Sequence, residues 1–231
     1  MSWTPPAATM TDEQLEFLRS VDSPTIANAI EPFKVRDRTV GFIGGSVRSL
    51  FPEFPPMVGY ALTVKMSNQA GEVAGRDGYW KMWQYLEQMP KPSVLVIQDV
   101  SGAPTRVALA GEVMSTLAQR LGAVGMVTDG AFRDLNEVRD LGFHYFAQYV
   151  VVSHANFEIV DVGTPVTLDG EVVNTGDIVH GDANGVVIVP AEVLGGLADA
   201  VNDVRVKERQ TMDFIKSDKF SLAELMGKSG Y

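Results

Sequence analysis

Residues 111–134 read GEVMSTLAQRLGAVGMVTDGAFRD, and the apolar rhythm changes twice within them. Val113, Met114, Leu117, Ala118 and Leu121 recur at helical spacing, so a helix with one apolar face opens at Gly111-Glu112. Ala123–Thr128 is then a short apolar run of buried-strand type. The turn Asp129-Gly130 leads through Arg133-Asp134 into a second helix. In open α/β sheets ligands sit at the carboxyl ends of the strands. Two helix starts, whose free N–H groups attract anions, and an Arg-Asp pair are thereby directed to one crevice, which reads as an anion and metal site.

The flanks extend the α/β pattern. Ser93–Asp99 is a second buried strand, ending in a loop with Gly102 and Pro104. Residues 76–88 have helical spacing and are rich in aromatics (Tyr79, Trp80, Trp83, Tyr85), which suit core or a subunit interface. Residues 57–65 read as β. Thr11-Asp12-Glu13-Gln14 has the spacing of a capping box, so a first helix starts near Asp12, and another follows Ser23-Pro24. Beyond the quoted stretch, residues 143–147 form a strand, and residues 159–190 break into short strands at Asp169-Gly170, Thr175-Gly176 and Asn184-Gly185. A long amphipathic helix is expected from about Ala191, behind Pro190, with a short helical tail over residues 221–226. This order is neither a doubly wound sheet nor a barrel and predicts stacked layers of sheet and helix.

At 231 residues and 45% hydrophobic content, with no linker, charge block or repeat, the expectation is a single domain over residues 1–231. Residues 1–10 read as loose and residues 191–231 as a carboxyl-terminal helical segment. The formal charge of -10 and pI near 4.7 argue against a nucleic-acid partner or an anionic membrane. An anionic substrate must then be attracted locally, against the global field. The absence of Cys excludes disulfides, thiolate metal sites and a cysteine nucleophile, and fits a reducing compartment. With no secretory pattern at Met1-Ser2-Trp3 and no apolar run of the roughly 18 residues that cross a bilayer, a cytoplasmic protein is expected.

Each candidate residue has two readings. Asp134-Leu135-Asn136-Glu137 has the form of a capping box, so Asp134 is either a helix N-cap or a carboxylate that also meets a cation. Magnesium suits so sparse a site, since it keeps several waters. Arg133 is either a surface partner of Glu137 or Asp140, or a fork for a carboxylate or keto oxygen. Glu112 is either a first-turn acid beside the helix dipole or part of the constellation. His144, His154 and His180 lack metal-pair spacing and read as packed or partly exposed residues. Lys65 ends a strand with nothing to support a Schiff base, and the glycine-rich residues 41–46 match no phosphate loop and read as a turn.

Asp99-x-x-Gly102, Ala108-Leu109-Ala110-Gly111-Glu112, the run from Gly125 to Asp134 and the run from Gly176 to Pro190, with Gly59-x-Ala61-x-Thr63-Val64, resemble in that order the RraA-like family over roughly residues 23–206. That family includes the divalent-metal-dependent 4-hydroxy-4-methyl-2-oxoglutarate/4-carboxy-4-hydroxy-2-oxoadipate aldolases. The resemblance implies an α/β fold of the swivelling β/β/α type, assembled as a homotrimer or homohexamer with active sites at subunit interfaces. It implies that the backbone of Gly111, Glu112, Val113 and Met114 holds the carboxylate of pyruvate. It further implies that Arg133 contacts the keto or enolate oxygen, that Asp134 ligates Mg2+ or Mn2+, and that Glu112 binds metal-coordinated water.

The implied reaction is cleavage of a 4-hydroxy-2-oxo acid to pyruvate and a second carbonyl compound, with oxaloacetate decarboxylation through the same enolate. Two alternatives stand beside it: a decarboxylase acting mainly on oxaloacetate, and a non-enzymatic protein-binding regulator. The namesake regulators, which inhibit ribonuclease E, do not keep an Asp at the position of Asp134, so its presence here favours catalysis. The chain departs from the aldolases in carrying Glu112 where they can carry Asp, and Val152-Ser153-His154-Ala155-Asn156 where a Ser-Pro-Arg-like loop meets the far end of the substrate.

Overall fold

The computed structural model describes residues 3–68 and 75–228. Helix α1 (Asp12–Arg19) begins where the capping box places it: the Gln14 N–H donates to Thr11 Oγ1 at 3.2 Å, and the Thr11 N–H donates to Gln14 Oε1 at 2.9 Å. Helix α2 (Ser23–Ile30) has Pro24 in its first turn and Asp22 as its N-cap. The glycine-rich residues 41–46 hold more than the expected turn. Gly41 turns at φ +87°, but Phe42 and Ile43 pair as an edge strand, β1 (Phe42–Ile43), ahead of β2 (Arg48–Ser49).

Strand β3 (Met57–Asn68) runs past its expected end at Lys65. Then come α3 (Asp77–Gln88), β4 (Ser93–Asp99), β5 (Ala108–Ala110), α4 (Glu112–Arg120), β6 (Ala123–Thr128) and β7 (Ala131–Phe132). Next are α5 (Leu135–Asp140), β8 (His144–Ala147), β9 (Tyr149–Val150) and β10 (Phe157–Val162). A hairpin of β11 (Val166–Leu168) and β12 (Glu171–Val173) precedes β13 (Ile178–Asp182) and β14 (Gly185–Val189). The long helix does not start at Ala191. A 3-10 turn occupies Ala191–Val193, and α6 (Leu197–Lys216) opens only after Gly195-Gly196, two residues that disfavour helix, with α7 (Leu222–Lys228) behind it.

Among the described residues the main sheet has nine strands. Its path is β1-β14-β13-β3-β4-β6-β8-β2, with β10 paired to β3 off that path. The centre, β3-β4-β6-β8, is parallel and the flanks are antiparallel. Strand β3 is long because it serves two partners on one side: Met57 to Tyr60 pair with β13, and Val64 to Asn68 pair with β10.

Alternation along β3 divides the core. Val58, Tyr60, Leu62, Val64 and Met66 face the helices, meeting Leu18 of α1, Ile26 of α2, Met82 and Leu86 of α3, Ala118 of α4 and Val201 of α6. Met57 and Ala61 face the other way, with Val94, Val96, Val127 and Phe146, under the hairpin residues Val166, Leu168 and Val173. Sheet, hairpin layer and helix layer together are the expected layered α/β arrangement. Because both faces are covered, β3 and β4 read as near-continuous apolar runs rather than as alternating ones. Each fully buried aliphatic side chain contributes roughly 1.5–3 kcal/mol.

Within the amino-terminal segment expected to be loose, the described residues 3–10 carry no helix or strand, yet they are docked. Trp3 stacks on Tyr85 at 3.9 Å between centroids, and the Thr9 and Met10 N–H groups donate to the Tyr60 hydroxyl at 2.8 and 2.7 Å. The aromatic helix α3 divides by face: Trp83 is buried in the core, while Trp80 is half exposed. No helix among the described residues is long and apolar enough to cross a membrane.

Candidate active site

The three shortest parallel strands carry the candidate residues. β5, β7 and β9 form a separate sheet in that order, with Ala110 opposite Phe132 and Phe132 opposite Val150. The Arg133 N–H donates to Ala110 O, and the Val151 N–H to Phe132 O, both at 3.1 Å. The chain therefore leaves the three strands side by side, into α4 at Gly111, into Arg133-Asp134, and into the loop that contains Ser153 and His154. Parallel pairing brings segments distant in sequence to one edge, as the reading of residues 111–134 expected.

Asp134 does not form the capping box that its spacing suggests. It occupies the N-cap position of α5 but has φ +61°, in the left-handed region, and its side chain makes no cap hydrogen bond. Asp tolerates that region better than most residues because its short polar side chain finds local partners. Here the partner belongs to another helix: Asp134 Oδ2 accepts the Glu112 N–H at the start of α4, at 2.9 Å. The free N–H groups of α4 have outcompeted those of α5.

Gly111 makes this approach possible. A Cβ at Gly111 would overlap Asp134 Oδ2 and press on Arg133 Nε at 3.0 Å. Arg133 is paired with neither Glu137 nor Asp140. Its Nη1 donates to Ser153 O at 3.1 Å and its Nε lies 3.6 Å from Asp134 Oδ2, so that among the described residues donors of the fork are left for a ligand. Val113 departs from the helix pattern: it is 79% exposed rather than packed, while Met114 is buried. Val113 and Met114 head a helix whose first-turn N–H groups have no carbonyl one turn earlier to bond.

Gly111, Val113, Met114, Arg133 and Asp134 share one wall of a cavity of about 400 Å³. Glu112 stands outside that wall, exposed, with its N–H turned to Asp134. Another part of the lining was not anticipated: it comes from Arg76 and Tyr79 of the α3 start and from Phe157 and Ile159 of β10. Gly78 is the one local signal for it, since a Cβ there would meet Ile159 O at 2.5 Å, so the glycine lets the first turn of α3 lie directly on β10.

The three histidines lie in different parts of the fold. His154 lines the cavity alone. His180 is buried, and its Nε2 lies 3.0 and 2.9 Å from Leu18 O and Val21 O, so Nε2 carries the proton and ties the α1–α2 connection to β13. Burial pushes His144 down to about 4. Lys65 is not part of the cavity. Burial raises Asp129, in the turn before β7, to about 6, and its Oδ1 accepts the Asp99 N–H at 2.7 Å. Among the described residues no group of three or more His, Asp or Glu side chains is close enough to hold a metal ion.

Comparison with known proteins agrees with this architecture. The chain is 28% identical, over 143 residues, to a Halalkalibacterium halodurans protein named "Putative 4-hydroxy-4-methyl-2-oxoglutarate aldolase"; the match covers 60% of this chain and 68% of that protein. It is 31% identical over 102 residues to an Azotobacter vinelandii protein of the same name, covering 43% of this chain and 61% of the relative's length. The crystal structure of Streptomyces coelicolor RraAS2, described as an unusual member of the RNase ES inhibitor RraA protein family, matches with a TM-score of 0.70 at 24% identity. That match covers 88% of this chain and 98% of the other, and at such identity it speaks to the fold alone. The family model described as Aldolase/RraA matches residues 20–188. By that match and by its fold, the chain belongs to the RraA-like family.

Proposed function

We propose that the protein is a divalent-metal-dependent lyase that releases pyruvate from a 4-hydroxy-2-oxo acid, with oxaloacetate decarboxylation as a side activity. The observation that carries this reading is the left-handed Asp134, its carboxylate fastened to the start of α4 beside Arg133 on the wall of a cavity. The left-handed turn aims the carboxylate at the start of α4 instead of at its own helix. The aldolase names of the relatives point the same way.

The residues present fit a cation. Asp134 Oδ2 is committed to the Glu112 N–H, while Oδ1 has no hydrogen bond among the described residues and the side chain is 35% exposed. One carboxylate, with the remaining positions left to water and substrate oxygens, is a set that suits Mg2+ or Mn2+. When bound there, the ion supplies positive charge to stabilise an enolate.

The chain's own residues do the rest. The N–H groups of Val113 and Met114, at the positive end of α4, hold the C1 carboxylate of the substrate. Arg133 donates to the 2-keto oxygen, where negative charge develops as the C3–C4 bond breaks and its electron pair passes into the enolate. Glu112, exposed at the start of α4, takes the C4 hydroxyl proton through an intervening water, so that C4 leaves as a carbonyl. A proton returned to C3 completes pyruvate. With oxaloacetate the same bond breaks, carbon dioxide leaves, and the enolate is protonated in the same way. Arg76 and His154 line the same cavity, and in this reading they meet the far end of the substrate.

The test is pyruvate release by the purified protein from a panel of 4-hydroxy-2-oxo acids and oxaloacetate, with Mg2+ and with chelator. Chelation and Asp134→Asn, which keeps a side chain suited to φ > 0, are each expected to lower turnover at least about a hundredfold. Turnover untouched by both treatments overturns the mechanism. Oxaloacetate used far better than every aldol substrate would make the protein a decarboxylase first, and an inert protein that captures a stable protein partner would make it a regulator.

A further inference from the structure

Behind the site lies a chain of hydrogen bonds in which every proton can be assigned. Tyr145, in β8, is fully buried, and its hydroxyl lies 2.6 Å from Ser115 Oγ. Ser115 Oγ lies 3.0 Å from Gly111 O, one helical turn earlier. The carbonyl can only accept, so the single hydroxyl proton of Ser115 goes to Gly111 O. Tyr145 must then be the donor to Ser115 Oγ. Burial pushes the Tyr145 phenol above its ordinary range despite the opposing hydrogen bond to Ser115, so the phenol keeps this proton at neutral pH.

The Gly111 carbonyl and the Glu112 N–H belong to the same planar peptide unit. That unit is held at both ends: its oxygen receives Ser115 Oγ–H and the Ser115 N–H, each at 3.0 Å, and its N–H donates to Asp134 Oδ2 at 2.9 Å. The series runs from the Tyr145 hydroxyl through the Ser115 hydroxyl and the peptide to the Asp134 carboxylate. Each bond polarises the next in a low-dielectric interior. A second tie reaches the same place, because the Tyr145 ring stacks at 4.1 Å on Phe132, the residue before Arg133.

We infer that Tyr145 and Ser115 are positioning residues for Asp134, acting through the Gly111–Glu112 peptide. This deepens the lyase reading and rests on it for its catalytic meaning, although the relay itself can be tested without it. Ser115 Oγ satisfies the buried Tyr145 hydroxyl, and it passes its own proton back to the preceding turn. Here the hydroxyl lands on the one carbonyl whose peptide N–H meets the candidate metal ligand.

The experiment compares the full chain with Tyr145→Phe, Ser115→Ala and the double variant, reading the Glu112 amide proton by NMR and Mn2+ binding by calorimetry. Tyr145→Phe keeps the stacked ring, which protects the fold, and unchanged amide shifts in β3 report that the sheet is intact. Cutting the relay is expected to move the Glu112 amide proton upfield and to weaken Mn2+ binding about two- to tenfold, the range for one lost hydrogen bond. Because the bonds lie in series, Tyr145→Phe is expected to add nothing in the Ser115→Ala background. A Glu112 amide that stays in place in the folded Tyr145→Phe and Ser115→Ala variants, or fully additive effects, overturns the inference. If the parent protein takes up no Mn2+ while the amide shifts as stated, the relay stands and the metal-dependent lyase reading falls.

Discussion

In the nine-stranded sheet, β3 and β4 stay in register from Tyr60 opposite Ser93 to Met66 opposite Asp99, with apolar layers on both faces. In the three-stranded sheet no strand exceeds three residues, the β5–β7 register shifts between Ala108 and Ala110, and Val150 on its edge is 52% exposed. Strands so short contribute few ladder hydrogen bonds. Their arrangement rests on what lies beneath them, above all Phe132 stacked on Tyr145. Yet Gly111 and the Arg133-Asp134 pair leave from this weaker sheet. The difference teaches that most of the folding free energy and the geometry of the site reside in different parts of the molecule, so the two can be perturbed separately.

The largest separation is expected from Leu62→Ala in the centre of β3, where the side chain is fully buried. The cavity left behind costs about 2–5 kcal/mol of stability by denaturant unfolding, while the proposed pyruvate-releasing turnover of the folded protein at low temperature is unchanged. A matching loss of turnover would mean that the two sheets are not independent. Gly111→Ala is the converse. Its Cβ forces Asp134 and Arg133 aside, so turnover falls by roughly ten- to a hundredfold with an unfolding midpoint close to the parent's. Full activity in that variant would show that the close approach is not needed.

The smallest effect probes the junction between the sheets. Burial raises the Asp129 carboxyl to about 6, so between about pH 4 and 6 the folded state binds its proton more tightly than the unfolded chain does. The stability from this group is complete below about pH 4 and is lost as pH rises through 6. Asp129→Asn keeps an acceptor for the Asp99 N–H and removes the charge. It is expected to raise the thermal midpoint by roughly 2 °C at pH 8, with the gain vanishing toward pH 4. An equal gain at both pH values would show that the charge is not responsible.

Much of this architecture was legible in the sequence, and the exceptions share a cause. The α1 capping box, the apolar runs of β3, β4 and β6 and the hairpin turns after Leu168 and Asp182 follow from contacts within a few residues, which local pattern records. The segment around Gly111, Arg133 and Asp134 was found for the same reason, since the helix starts and the turn at Asp129-Gly130 are local signals. The capping box at Asp134 looked equally sound, yet it lost to a donor 22 residues earlier. Val113 fits its helix face by spacing, but the first turn of α4 opens onto the cavity instead of the core. Arg76, Phe157 and Ile159 come from elements that meet only because α3 lies across β10, and apart from Gly78 nothing near them in sequence announces it.

By itself the order of residues determined where α1, α2 and α4 begin, that β3, β4 and β6 are buried strands, and that an Arg-Asp pair follows a strand and turn, because caps, turns and periodicity act over a single turn or pleat. Tertiary structure alone decided which groups meet: the Asp134 carboxylate with the Glu112 N–H, Arg133 with Ser153, and Tyr145 with Ser115. Those pairings depend on the register of strands far apart in the chain and on the relative stabilities of competing hydrogen-bond partners, and both are properties of the packed molecule rather than of any segment in it.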